Sequence, residues 1–335
     1  MRSKIVMLIT LVVLALGSLF SLGYWYMIKC EGQWRGIPAE AQMANLGEIR
    51  KALEADVAYL QSLGSRNSEN DVAYAKLRKC EEWILKRWQA QGYYVKRQIF
   101  TVKGRQYANL EIEFLGRVAP RDIIIVSAQY DTLPESPGAN NNASGMSILM
   151  YLSGILRRYA PERTLRLVAF VNEEDPFFGT EMMGSYQYAK RSHELHENIR
   201  TMLSMDSLGI YMDRPYSQRL PFPFSLFYPK RGNFLAFIGD FSSRPSMLVA
   251  TRGFKKGSAF PIEAGVVPKW VEGAGWSDHL SFWKFDYPGI QVTDTGAFRS
   301  PYHTTKEDTM EKINFEALSR ITIGMYYSIL ELTKI

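Results

Sequence analysis

The chain has 335 residues, of which 46% are hydrophobic and 22% charged, enough to bury a sizeable core and too apolar for a disordered polymer. Its net charge of +6 is spread through mixed-sign clusters such as "KRSHELHENIR", which excludes a nucleic-acid footprint and leaves only a mild attraction to anionic lipid. Two cysteines, Cys30 and Cys80, exclude a disulfide framework; they either pair with each other or stay free.

After Arg2 and Lys4 the residues 5–28 are mostly apolar, long enough to cross a hydrocarbon core of about 30 Å. The run exceeds the roughly 7–15 apolar residues of a cleaved signal and closes on "YWYMIKC" without an A-x-A site, so a retained anchor is expected. Tyr24, Trp25 and Tyr26 fall where an interfacial belt would. Arg2 and Lys4 put the N-terminus in the cytoplasm, although Lys29 and Arg35 narrow the charge difference. The expected layout is a cytoplasmic stub at 1–4, a transmembrane signal-anchor at 5–28, a juxtamembrane linker at 29–36 and one extracytoplasmic domain over 37–335. Such a chain is a single-pass membrane protein.

Two amphipathic helices open the domain. In "LGEIRKALEADVAYLQSLG" the apolar residues Ile49, Leu53, Val57 and Leu60 share one face, and "NDVAYAKLRKCEEWILKRWQAQG" starts on an Asn or Asp cap and ends at Gly92. Strand-like runs then alternate with helical ones: "YYVKRQIFTV", "ANLEIEFLG" and "DIIIVSAQY", helix "SGMSILMYLSGILRRY", strand "TLRLVAFV", a helix near 185–190 and strand "IRTMLSMD". The uninterrupted apolar strands fit a sheet covered on both faces. The expected fold is a three-layer α/β domain whose mixed, mostly parallel central sheet is flanked by helices.

Ligands of such sheets gather outside the carboxyl ends of the strands, where this sequence concentrates its polar residues. One strand runs into Gln129 and Asp131, a second into Asn172, Glu173, Glu174 and Asp175, and a third into Asp206. Three apolar strands that all finish in carboxylates suggest one shared acidic site.

The ordered set "PGANNNASG", "NEEDPFFGTEMMGS", "MDSLG", "GWSDHLSFW" and "YHTTKEDT" resembles the family-28 metallopeptidases, co-catalytic zinc exopeptidases that include bacterial aminopeptidases and, more distantly, glutaminyl cyclases. The resemblance runs from about Leu46 to the C-terminus. It implies two zinc ions about 3.5 Å apart, held by His, a bridging Asp, Glu, Asp and His, with a neighbouring Glu as general base. On this chain the Glu ligand matches Glu174, the base Glu173, the Asp ligand Asp206 and the last His His303. The first His falls on Gln129 and the bridging Asp on Asn141, or on Asn140 if the Asn run shifts by one. Asp131, counted with Glu173 in the catalytic pair, belongs to the family's His-x-Asp pattern; without its His it either turns inward as a ligand or is held by backbone hydrogen bonds.

Zinc favours thiolate, imidazole and carboxylate, and two divalent ions side by side need anionic ligands, above all at the bridge. Asn141 is neutral, and the carbonyl of Gln129 suits harder cations better. A first metal position built on Gln129, Asn141 and Asp206 is expected to be weak, and a second on Glu174, His303 and Asn141 stronger. The implied cofactor is zinc, as one ion or two.

Asp278 and His279 in "GWSDHLSFW" match a motif that borders the pocket, and His279 is the one reserve imidazole. His193 and His196 in "SHELHE" read as a solvated helix surface. Phe298, Arg299 and Tyr302, just before His303, are candidates for substrate contact. The proline- and aromatic-rich "DRPYSQRLPFPFSLFYPKRGNFLAF" forms a pocket lip, rests on the membrane or packs in the core. The apolar run and the resemblance together imply a membrane-anchored zinc exopeptidase that removes N-terminal residues from peptides. Gln129 and Asn141 set against it a pseudoenzyme that binds peptides or protein partners, and a mononuclear glutaminyl cyclase-like transferase is the third reading.

Overall fold

The computed structural model describes residues 2–28, 30–41 and 45–335; Lys29 and the side chain of Arg2, both weighed for topology, lie outside the described residues. The chain opens with α1 (Arg2–Met27), whose apolar side chains stand clear of the rest of the protein along most of its length. Its stretch Ile9–Met27 is long and apolar enough to cross a membrane. Helices α2 (Leu46–Ser62) and α3 (Asp71–Ala90) follow as their periodicity predicts: α2 buries Ile49, Leu53, Val57 and Leu60, and the Asn70 side chain caps α3 by accepting from the Ala73 N–H at 2.9 Å.

Strands β1 (Lys96–Val102), β2 (Arg105–Phe114), β3 (Ala119–Gln129), β4 (Arg163–Phe170), β5 (Asn198–Met205), β6 (Leu235–Gly239), β7 (Ile262–Val266) and β8 (Gly289–Thr293) form one sheet in the order β1-β2-β4-β3-β5-β8-β6-β7. The pairs β3/β4, β3/β5, β5/β8 and β6/β7 are parallel, and β1/β2, β2/β4 and β6/β8 antiparallel. The sheet is therefore mixed, with a parallel centre.

Alternation along β3 distributes the core. Ile124, Val126 and Ala128 join the cluster formed with α2, α3, α4 (Gly145–Ile155) and α8 (Phe315–Leu332), while Ile123 and Ile125 face Tyr188 of α5 (Gly184–Glu194) and Phe282 of α7 (His279–Trp283). Between β6 and β7 runs α6 (Arg244–Gly257), which packs along α8. That approach needs glycine: a Cβ on Gly324 would stand 2.3 Å from the Phe254 ring, and one on Gly253 2.6 Å from the Tyr327 carbonyl.

The stretch read as a linker is laid along α6. Gly32 N–H donates to Thr251 Oγ1 at 2.8 Å, Lys255 pairs with Glu31, and Lys256 lies 5.0 Å over the Trp34 ring. Cys30 is buried against Met247 and Cys80 inside α3, and both are free thiols.

Candidate active site

Gln129 ends β3, Glu173 and Glu174 follow β4, Asp206 follows β5, and the loop after β8 carries His303. The segment 139–144, which leads into α4, closes over them. Three residues at these strand ends, Asn172 (φ 61°), Ser207 (φ 56°) and Thr295 (φ 77°), hold left-handed backbone that costs a non-glycine residue energy. Such strain persists only where surrounding contacts impose it. The His303 ring sits on Gly296 (φ 47°), where a Cβ would approach Cε1 to 2.9 Å.

The centre is a closed chain of amides and carboxylates, and backbone donors set its polarity. Asn142 Oδ1 accepts the N–H groups of Gly145 (3.1 Å) and Ser207 (3.2 Å), so its Nδ2 must donate, which it does to the Met205 carbonyl (2.8 Å) and to Gln129 Oε1. With Oε1 engaged, Gln129 turns its Nε2 toward the centre, donating to Asn141 Oδ1 (3.0 Å), Asp206 Oδ1 (3.3 Å) and Glu173 Oε2 (3.4 Å). Asn141 Nδ2 in turn donates to Glu174 Oε1 at 2.6 Å. Both amides thus present N–H to the carboxylates.

The structure also separates Asn141, on which the sequence places the bridging position, from Asn140, the alternative if the run shifts by one. Asn140 Nδ2 donates to Asp294 (2.9 Å) and its Oδ1 accepts Gly209 N–H (2.7 Å), so it braces loops; Asn141 faces the centre. Asp308 receives the N–H groups of both, at 2.8 and 3.0 Å. Asp131 accepts the Glu174 N–H at 3.1 Å, the backbone-held alternative of the two expected for it.

Burial dominates the electrostatics. It pushes the Glu173 and Glu174 carboxyls well above the usual carboxylate range, and the negative charges around them add to the rise. Asp131 and Asp206 are raised to about 6 by burial, opposed by the hydrogen bonds they accept. Desolvation lowers His303 to about 4, so its ring is neutral near pH 7, and its buried Nδ1 has no hydrogen-bond partner among the described residues.

Other expected residues are placed elsewhere. His279 Nε2 contacts the Ala274 carbonyl at 2.7 Å and its ring abuts Trp283, while its buried Nδ1 has no hydrogen-bond partner among the described residues. Arg299 is buried away from the pocket, donating to Gln218 Oε1 (2.8 Å) and the Ile210 carbonyl (3.1 Å) beneath the Tyr211 and Phe234 rings. Tyr302 is partly exposed under Lys312, and Phe298 alone of the three reaches the pocket, stacked on Trp276. Asp278 is fully buried just ahead of α7, and the His193 ring lies against Phe285 on the far side of the sheet. Gln291, which donates to Asp206 Oδ2 at 3.2 Å, and Asp294 were missed; Asp294 directly follows β8 and would be found by applying the strand-end rule to it, whereas Gln291 lies in mid-strand, where that rule gives no signal.

The donor set does not fit a pair of zinc ions. Among the described residues no three His, Cys, Asp or Glu side chains converge to hold a cation, and the two amides aim hydrogens where a metal needs lone pairs.

Beside this centre opens a pocket of about 840 Å³, floored by Asp206 and His303 and walled by Phe224, Phe234, Val267 and Trp276. Its described lining includes Glu263 and Glu272 but neither Lys nor Arg. A second cavity of about 680 Å³ meets the centre at Asp131 and Glu174.

A family model described as Peptidase family M28 matches residues 112–329. The uncharacterized protein YfbL of Escherichia coli is 29% identical over 283 residues, 82% of this chain and 85% of that one. The LapA aminopeptidase of Legionella pneumophila superposes with a TM-score of 0.67 at 16% identity, over 90% of this chain and 78% of its own. The glutaminyl cyclase of Fimbriiglobus ruber superposes with a TM-score of 0.60 at 18% identity, over 85% of this chain and 95% of its own.

Proposed function

The chain belongs to peptidase family M28, and from that premise we propose that it is a membrane-anchored member that captures the amino-terminal end of peptides without two-zinc hydrolysis. The observation that carries this reading is the polarity of the centre. Gln129 and Asn141 stand at two of the five expected ligand positions, and each spends its N–H on a carboxylate that an intact site would offer to a metal. Hydrogen-bond donors thus take over the neutralising task of the ions, at lower charge.

What remains is a binding site. The pocket offers apolar and aromatic walls for a side chain and the acids Asp206 and Glu272 for a positive group, with neither Lys nor Arg in its described lining to repel it. A peptide's first residue carries that combination, an ammonium beside a side chain. Glu173 and Asp131 in this reading are members of the buried acidic network, not a working base. The helix α1 serves as a single-pass anchor with the domain outside the cytoplasm, supported by the apolar stretch Ile9–Met27.

One observation favours a second reading, a single zinc ion with cyclase-like chemistry: the buried Nδ1 of His303 lacks a partner among the described residues. Elemental analysis of the full chain in detergent, equilibrated with micromolar zinc and cleared of excess, separates the cases. The expected result is no stoichiometric zinc, no cleavage of amino-acid amides, and saturable peptide binding that N-acetylation of the peptide abolishes. Two ions per chain with turnover would refute the proposal, and one ion would select the second reading.

A further inference from the structure

The segment 213–233, which leaves the sheet after Asp206, is held against the membrane helix. The ring of Phe227 lies 6.1 Å from that of Phe20 and 5.6 Å from that of Tyr24. Phe20 stands seven residues inside the end of the membrane-length stretch at Met27, which is about 10 Å along a helix axis. A second patch fixes the same helix end. Arg244 lies 5.1 Å over Trp25 and 4.3 Å over Tyr26, donates to the Tyr26 carbonyl at 2.9 Å, and Tyr26 stacks on Phe241. Tyr24, Met27 and Ile28 join Leu220, Phe224, Tyr228, Val267 and Val271 in one apolar cluster. The helix is therefore docked on the domain by two patches.

From this docking we infer that the loop around Phe222 enters the bilayer and seats the pocket mouth on its outer surface. The inference rests on the reading of α1 as a retained anchor. If Phe20 is in hydrocarbon, Phe227 is at its level, and the neighbours of Phe227 that face away from the protein have only lipid to meet. Those neighbours are apolar: Phe222 is 81% exposed and Leu226 68%, and Trp270, on the adjoining loop, is 85% exposed. Side chains of this kind in water form an unexplained patch, whereas Trp, Phe and Leu in the interfacial region are stabilised. Charge agrees with a lipid occupant. The segment carries Arg214, Arg219, Lys230 and Arg231 against the single acid Asp213, a balance that suits anionic headgroups. Leu220, Pro221, Phe224 and Tyr228 of this segment also wall the large pocket, so a peptide fills it from the bilayer surface.

Spin labels test the placement in the full chain, reconstituted in vesicles containing anionic lipid. Phe222→Cys, Leu226→Cys and Trp270→Cys report the loops, Leu14→Cys reports α1, and Tyr94→Cys, exposed ahead of β1 at the opposite edge of the sheet, reports water. Cys30 and Cys80 are buried, and the parent chain sets the background. The expected result is that labels at 222 and 226 are relaxed by oxygen and shielded from a water-soluble nickel chelate, as at Leu14 and unlike Tyr94. Labels at 222 and 226 that match Tyr94 while Leu14 stays in lipid would overturn the loop placement alone. Labels shielded from both reagents would overturn it in favour of a protein partner or second copy. A Leu14 label in water would overturn anchor and loop together.

Discussion

The acidic centre around Gln129 and the aromatic lip around Phe224 both leave the same sheet, yet they are held by opposite physics. The centre is polar, buried and closed: each amide has its partners in the chain from Asn142 through Gln129 and Asn141 to Glu174. The lip is apolar and open, resting on ring contacts with α1 while Phe222 and Leu226 face outward. Directional bonds make the centre intolerant of single changes in residue identity, and non-directional contacts make the lip tolerant of them. The lip's behaviour depends instead on the medium around it.

The largest expected effect is at the centre. Gln129→Ala removes the side-chain donor to Asn141 Oδ1, one of the donors to Asp206 Oδ1 and one of the two acceptors of the Asn142 amide, and should lower stability by about 3 kcal/mol, read from the denaturant midpoint in detergent. A loss below about 1 kcal/mol would mean that water restores those bonds and that the two regions do not differ as described.

Asn141→Asp replaces a donor to Glu174 with a further carboxyl in the buried acidic cluster and should cost about 2 kcal/mol near neutral pH. Combined with Gln129→His it should recover stability when zinc is added and raise zinc binding, seen as a zinc-dependent rise in Tm. No gain from zinc in the double variant would show that the pocket has drifted beyond the two-metal geometry.

Acidification should act on the two regions in opposite directions. Burial holds His279, which supports the pocket loop through Ala274, at about 4 against an ordinary value of 6.5. Its contribution is present above about 6.5 and is lost as pH falls towards 4, because the unfolded ring takes up the proton first. Asp294, which braces Asn140, is raised by burial to about 6 from 3.8, so its contribution is lost as pH rises from about 3.8 to 6. Thermal unfolding of His279→Gln should therefore show a shallower loss below pH 6.5 than the parent, and Asp294→Asn a shallower loss from pH 4 to 6. Parallel pH profiles for parent and variants would remove this contrast.

The smallest effect belongs to the lip. Phe227→Ala removes the ring contacts with Phe20 and Tyr24 and should cost about 1 kcal/mol in detergent, with the acidic centre unaltered. A loss as large as that of Gln129→Ala would show the lip to be part of the core.

Legibility followed the range of the interactions. The periods of α2 and α3 and the apolar runs of β3 and β4 were readable because they are local, and strand-end carboxylates pointed to the site because parallel sheets expose those ends. Strands β6 and β7 were not read: they are five residues each, too short to show a period. Arg299 was read as a substrate contact from its place in the loop ahead of His303, but one residue's distance along that loop separates it from Phe298, which reaches the pocket, and Arg299 is buried on Gln218.

The sequence by itself determined the mixed α/β layering, the apolar N-terminal run and the neutral amides at positions 129 and 141, since each is a matter of residue type and spacing. Only the tertiary structure decided that Asn141 and not Asn140 faces the centre, and that both amides turn their N–H groups inward. It also placed the aromatic insert on α1. These outcomes depend on donors and rings that are far apart in the chain, such as Ser207 N–H on Asn142 and Phe20 on Phe227, and no local pattern encodes a contact whose partner is set by the fold.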